Sequence, residues 1–303
     1  MALFSIAAAL ILEQIKPLAQ ERFVLAPLAR FAYFIEDHLN DGQARHGALA
    51  WMAAVAPAVT IVLLLQWLLV SQPVPNLLLS IGLLYLTMGF RQFSHYFTDI
   101  HLALRLGELD HARALLGEWR GRSAERLSSN EVARVAIEEA LVASHRHVFA
   151  PLLWFVLIGP AGALFYRLAL FFKSQWRQTE YGDFGRYAAR AFALIDWLPL
   201  RVTAAAFAVV GDFEGAVFCW RTQAARWPDP ASGILLASGA GALGVCLGRP
   251  IQEITEVRER PELGLGDEAD VEFMQSAIGL VWRSLVLYLL LLALFWVASW
   301  VGR

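Results

Sequence analysis

The stretch from Ala48 to Val70 constrains this chain more than any other feature. It reads ALAWMAAVAPAVTIVLLLQWLLV, carries no charge and places Trp51 and Trp67 near its ends. About 20 such residues let a helix cross ~30 Å of hydrocarbon, and tryptophan favours the interfaces on either side. Pro57 is compatible with a span if neighbouring groups satisfy the carbonyl it frees. Composition agrees. Of 303 residues, 58% are hydrophobic and 17% charged, with a mean hydropathy of +0.51, whereas soluble domains carry about 25% charged residues. The expectation is an all-α, polytopic protein whose first partner is the lipid bilayer. A net charge of −2 and the absence of a basic motif exclude nucleic acid as a partner.

Other apolar stretches follow the same logic. Ala277–Val301 is the clearest, with Trp282, Trp296 and Trp300 as interface anchors. Met1–Leu12 is too short to span alone and lacks the basic flank and cleavage site of a signal peptide. Glu13–Gly47 suits an interfacial helix or a loop. A tight turn at Gln72–Asn76 leads into a short span at about Leu77–Phe90. Val148–Phe172 is broken by Gly159-Pro160 and reads as a kinked span or as two half-helices; basic residues on both flanks favour a re-entrant pair. Ala191–Val210 is apolar except for Asp196 and Arg201. Gly211–Asp229 is an amphipathic connector, Ala231–Gly248 is rich in small residues that permit close helix packing, and Arg249–Asp270 is a polar loop. Four to six membrane segments result.

The polar stretch Ser94–His147 holds seven Arg and eight acidic residues. Its apolar positions recur at helical spacing (Leu102, Leu106, Leu109; Val132, Val135, Ile137, Leu141), which predicts a helical lobe inserted between membrane segments of one domain, 1–303. Ser128, Ser129, Asn130 and Glu131 supply N-cap candidates. The helix they start, Glu131–Trp154, begins amphipathic and becomes lipid-compatible past Pro151.

Candidate chemistry is sparse. His95 and Asp99 share a helix face but lack a third ligand, so no metal site is assigned. His145 and His147 point apart on a helix, and headgroup contact suits them better than catalysis. For Glu138 and Glu139 the default is a solvated face, with one of them facing a membrane-proximal cleft as the functional alternative. Asp196 and Arg201 are more informative, because charges at membrane depth face a bundle interior or a cavity. They flank Pro199 and are candidates to pair with each other. Cys219 and Cys246 read as buried thiols. Gly239, Gly241 and Gly244 lack a phosphate-loop context and read as packing glycines.

Four ordered blocks resemble the CobD/CbiB family of cobalamin-biosynthesis membrane proteins. They are HLALRLGELDHAR (101–113), EVARVAIE with APLLW (131–154), YGDFGRYAAR with LPLR (181–201), and GAGALGVCLGRP with ERPELG (239–264). The first three also resemble AmpE, an inner-membrane protein linked to β-lactamase regulation. The resemblance implies a multi-pass protein of the bacterial inner membrane. It implies an adenosylcobinamide-phosphate synthase activity, which joins an aminopropanol phosphate to a propionate of adenosylcobyric acid. Such an ATP-dependent amide ligation uses ATP and Mg²⁺ and binds a corrinoid or other small anionic ligand. The alternative implied is an AmpE-like sensor that binds without ligating. The best-matching polar residues are Glu138 and Glu180, as acids in a catalytic role, and Tyr181, Arg190 and Arg201, as substrate-binding groups; Asp196 joins the substrate-binding candidates as a charge at membrane depth.

The chain also departs from the family pattern. Where E-S-x-x-E-N-x-x-D-G is usual, Glu138 keeps the first acid, but Val142 and Ala143 replace the acid–amide pair and Arg146 the Asp. Leu170 and Lys173 replace an Asn and an Asp, Phe192 and Ala193 a double Asp, and Asp196 an Asn. An R-D-T element is reduced to Arg122-Ser123-Ala124.

Overall fold

The computed structural model describes residues 2–16, 24–176, 183–252 and 257–301. In chain order the helices are α1 (Ala2–Ile15), α2 (Ala26–Leu39), α3 (Ala44–Leu68), α4 (Pro73–Thr87), α5 (Phe90–Arg105), α6 (Leu109–Arg120), α7 (Ser129–Ser144), α8 (Ala150–Ile158), α9 (Pro160–Gln175), α10 (Arg186–Val210), α11 (Phe213–Gln223), α12 (Pro230–Leu243) and α13 (Val271–Val301). A π-helical turn, His145–Phe149, joins α7 to α8. Short strands β1 (Val245–Gly248), β2 (Ile251–Gln252), β3 (Val257–Arg258), β4 (Glu262–Leu263) and β5 (Asp267–Glu268) lie between α12 and α13. The all-α expectation holds for the chain as a whole.

Among the described residues, four helical runs are long and apolar enough to cross a membrane: Ala44–Leu68, Ser129–Ile158, Arg186–Val210 and Val271–Ala298. Three shorter apolar helices, Leu3–Ile15, Pro73–Thr87 and Pro230–Leu243, accompany them. Leu64, Trp67 and Leu68 of α3 and Leu290, Leu294 and Phe295 of α13 stay exposed, as lipid-facing side chains do.

The chain forms two compact units. The first comprises 1–89 and 147–199. Its core packs α3 against α9 and the start of α10, around Trp51, Tyr166, Phe172, Trp176, Phe184 and Phe192. The stretch Val148–Phe172 is two half-helices, α8 and α9. Gly159 between them has φ +83°, a conformation that disfavours any side chain, and an added Cβ would meet Gln66 Nε2 at 2.6 Å. The rings of Trp154 and Phe165 meet edge-on with centroids 5.7 Å apart, so α9 folds back on α8 across the break at Gly159. The turn expected at Gln72–Asn76 falls earlier, at Leu69–Ser71. Pro73 and Pro75 instead begin α4, because the first turn of a helix has no use for the N–H that proline lacks.

Two internal prolines of this unit are compensated in the same way. Pro151 leaves the carbonyl of His147 without its helical donor, and the Gly89 N–H donates to that oxygen at 3.3 Å. Pro199 leaves the carbonyl of Ile195 without its donor, and Trp154 Nε1–H supplies one at 3.3 Å.

The second unit comprises 90–146 and 200–303. The polar stretch is helical, as its periodicity predicts, and forms α5, α6 and α7. Ser128 caps α7: its hydroxyl accepts from the Glu131 N–H while the Glu131 carboxylate accepts from the Ser128 N–H, a reciprocal capping box. Val132, Ile137 and Leu141 of α7 are fully buried. The small residues of α12 permit close approach as expected, with Gly241 backed onto Gly215 and Gly239 onto Leu141. Gly244 ends α12 as a left-handed cap, φ +66°, so Val245–Gly248 is a strand rather than helix. The 249–270 stretch contains strands rather than only loop. β1 pairs antiparallel with β4 (Leu247↔Leu263) and parallel with β5 (Cys246↔Glu268), while β2 pairs with β3. Strands two to four residues long give almost no periodic signal, which is why a period-based reading misses them.

Candidate functional site

The second unit contains a buried charge network built on α7 and the β1–β2 turn. Glu138 is 5% exposed. Its Oε1 accepts from the Gly248 N–H at 2.8 Å, and its Oε2 accepts from Arg260 Nη1 at 2.6 Å. Each nitrogen of Arg260 has a partner: Nη2 donates to Gly248 O at 3.1 Å and Nε to Arg249 O at 3.1 Å. The guanidinium also lies 5.5 Å from the Trp227 ring centroid, within cation–π range. The turn bends through two left-handed residues, Gly248 at φ +77° and Arg249 at φ +63°. Glycine is required at 248, since a Cβ there would collide with the Pro261 carbonyl.

Arg249 and Arg134 extend the network. Arg249 pairs with Glu262 at 3.0 Å and with Glu268 at 3.5 Å. The Arg249 partner holds the Glu262 carboxyl below the ordinary carboxylate range. Burial pushes the Cys246 thiol up, and the nearby Glu262 carboxylate adds to the shift. Arg134, one turn before Glu138 on α7, is 3% exposed. Its Nη2 reaches Pro250 O only at 3.5 Å and Glu131 only at 3.8 Å.

The sequence-derived candidates fall in both units. Glu138 is buried and ion-paired, not on a solvated face, because the β1–β2 turn closes over that side of α7. Glu139 pairs with Arg120 at 3.4 Å. Arg201, half-buried on α10, belongs to the second unit. Asp196 and Arg190 belong to the first. Asp196 is 5% exposed, and its Oδ1 accepts from the Tyr166 hydroxyl at 2.8 Å. Arg190 is exposed on α10. Glu180 and Tyr181 lie outside the described residues. Lys173 and Phe192, which stand where the family pattern has acids, touch each other: Lys173 Nζ is 4.5 Å from the Phe192 ring centroid.

His145 is 1% exposed and its Nδ1 bonds Thr203 Oγ1 at 2.9 Å. Arg167 Nη1 donates to His147 Nδ1 at 2.6 Å. His145 therefore has a protein partner and no access to headgroups, because the π turn carries it into packed surroundings. Cys219 and Cys246 are buried free thiols. Among the described residues, no three His, Cys, Asp or Glu side chains come together to hold a metal.

Arg134, Trp227, Gly248, Arg249 and Arg260 were not singled out by sequence reasoning. A signal was present for four of them: Arg134 lies in the second recognisable block, and Gly248, Arg249 and Arg260 lie in the fourth. Only the fold brings those blocks to one place.

Comparisons with known proteins agree with that pattern. A family profile described as CobD/Cbib protein matches residues 6–281. A protein named cobalamin biosynthesis protein CobD from Stutzerimonas stutzeri is 35% identical over 95% of this chain and 96% of its own. Its namesake from Chromobacterium violaceum is 36% identical over 78% of this chain and 76% of its own. One from Streptococcus sanguinis is 27% identical over 82% of each. No solved structure matches significantly. These names favour the cobalamin reading over the AmpE-like one. With the profile matching nearly end to end, the chain belongs to the CobD/CbiB family.

Proposed function

We propose that this is a multi-pass protein of the bacterial inner membrane that acts in cobalamin biosynthesis, forming the amide between an aminopropanol phosphate and a propionate of adenosylcobyric acid. The observation that carries this is the match along almost the full length of both chains to a relative named for cobalamin biosynthesis. The ligand classes are a corrinoid carboxylate and a small phosphorylated amine.

The described residues do not fit the Mg²⁺ and ATP that such a ligation uses. Both oxygens of Glu138 are engaged, by Gly248 N–H and by Arg260, and a Lys–Phe contact stands where acids are usual. Glu138 acts in this reading as a positioning residue: it holds the β1–β2 turn and Arg260 against α7 and does not meet substrate. Arg190 and Arg201 remain candidates to hold phosphate or carboxylate, and Asp196 with Tyr166 a candidate polar contact.

Complementation tests the proposal. A strain lacking its adenosylcobinamide-phosphate synthase needs cobinamide even when given cobyric acid. Expression of this chain is expected to restore growth on cobyric acid. No growth with well-expressed, membrane-inserted protein sinks the enzymatic reading.

A further inference from the structure

Arg134 is a buried charge of the second unit with a nitrogen left over. A buried guanidinium without good partners loses its hydration and recovers little. Arg134 is 3% exposed, and its buried Nε has no hydrogen-bond partner. Its two other contacts are long, 3.5 Å to a carbonyl and 3.8 Å to a carboxylate. Arg260, by contrast, has four well-placed partners or ring contacts. The two arginines converge on consecutive carbonyls of one turn, Arg260 on those of Gly248 and Arg249 and Arg134 on that of Pro250.

Arg249, in the same turn, is unusual in a second way. It has φ +63° and is the non-glycine residue with positive φ among those described. Such a conformation costs of order 1 kcal/mol for a residue with a side chain. Its charged side chain is only partly covered, and both its carboxylate partners, Glu262 and Glu268, are about half exposed. Exposed ion pairs of that kind contribute little stability, so they are readily exchanged for a better anion.

We infer that Arg134 and Arg249 form a binding site for the phosphate of a small phosphate monoester, with Glu262 and Glu268 as internal placeholders on Arg249. Guanidinium pairs suit oxyanions because their donors match oxygen geometry. Arg260 and Glu138 neutralise each other and shape the turn without entering the site. Glu131 is tied to the Ser128 cap. The identity of the natural ligand as the phosphorylated amine rests on the function proposed above; phosphate binding itself does not, and stands even if complementation fails.

The test uses the full chain in phosphatidylcholine nanodiscs and inorganic phosphate as the probe, read by calorimetric titration. Saturable binding is expected. Arg249→Gln is expected to weaken it at least tenfold. Arg134→Met is expected to do the same while unfolding no more easily than the parent, because it removes an unsatisfied buried charge and keeps the volume. Glu262→Gln is expected to tighten binding several-fold, a gain that misfolding cannot produce. Repeating the titration with phosphatidylglycerol in the disc separates the two sources of phosphate. Unchanged affinity supports a soluble ligand, and loss of phosphate binding assigns the site to lipid headgroups and overturns the inference. Absence of saturable binding by the parent protein, or parental affinity in both arginine variants, also overturns it.

Discussion

Trp154 donates its indole N–H to the carbonyl of Ile195 at 3.3 Å, the carbonyl that Pro199 leaves without a helical donor. A backbone carbonyl in a span has no water to turn to, so an outside donor there is worth more than an ordinary surface hydrogen bond. Trp154→Phe keeps most of the ring and removes the donor. It is expected to destabilise the protein by about 1–3 kcal/mol in unfolding from mild detergent. Pro199→Ala returns an N–H to the helix, so the same Trp154→Phe change is expected to cost less in that background. Equal costs in both backgrounds would show that the indole bond does not compensate for the proline.

The Glu138–Arg260 pair is a second place where partners depend on each other. Removing one member leaves a buried charge, at a typical cost of about 3–5 kcal/mol. Glu138→Leu and Arg260→Leu are each expected to lower the unfolding midpoint strongly, and the double variant is expected to fall well short of the sum. Additive losses in the double-mutant cycle would refute the coupling.

Acidity should loosen the Arg249–Glu262 tie. The folded-state pKa of Glu262 is depressed, chiefly by its hydrogen bond to Arg249. Its contribution is therefore present above the unfolded carboxylate value and is lost as pH falls through the lower folded value. The pair is largely solvent-exposed, so the effect is small. Hydrogen exchange at Leu247 and Leu263, which β1 and β4 pair, is expected to quicken below the usual carboxylate range in the parent protein. In Glu262→Gln the rates are expected to follow only the intrinsic pH dependence.

The capping box gives a cleaner local test. Ser128→Ala removes the acceptor for the Glu131 N–H and is expected to cost about 1 kcal/mol. Ser128→Asp, which keeps an acceptor and complements the helix dipole, is expected to restore stability to the parental value within a few tenths.

Sequence alone determined the solvent of this protein. Long apolar runs such as the uncharged Ala48–Val70, and Ala277–Val301 with Arg283 near its start, have only one low-energy environment, and hydrophobic length sets it without reference to any neighbour. The helical character of the 94–147 stretch and the Ser128 cap were also legible, because both depend on residues three or four apart. Glu138 could be picked out, but not its burial. Its partners Gly248 and Arg260 lie 110 and 122 residues away, and no local pattern encodes a contact of that span. The same limit hid the donors that Gly89 and Trp154 give to proline-freed carbonyls, and the strands of 245–268, which are too short to show a period. Only the folded chain decides which distant donor reaches a freed carbonyl, and which buried arginine is left with less than it needs.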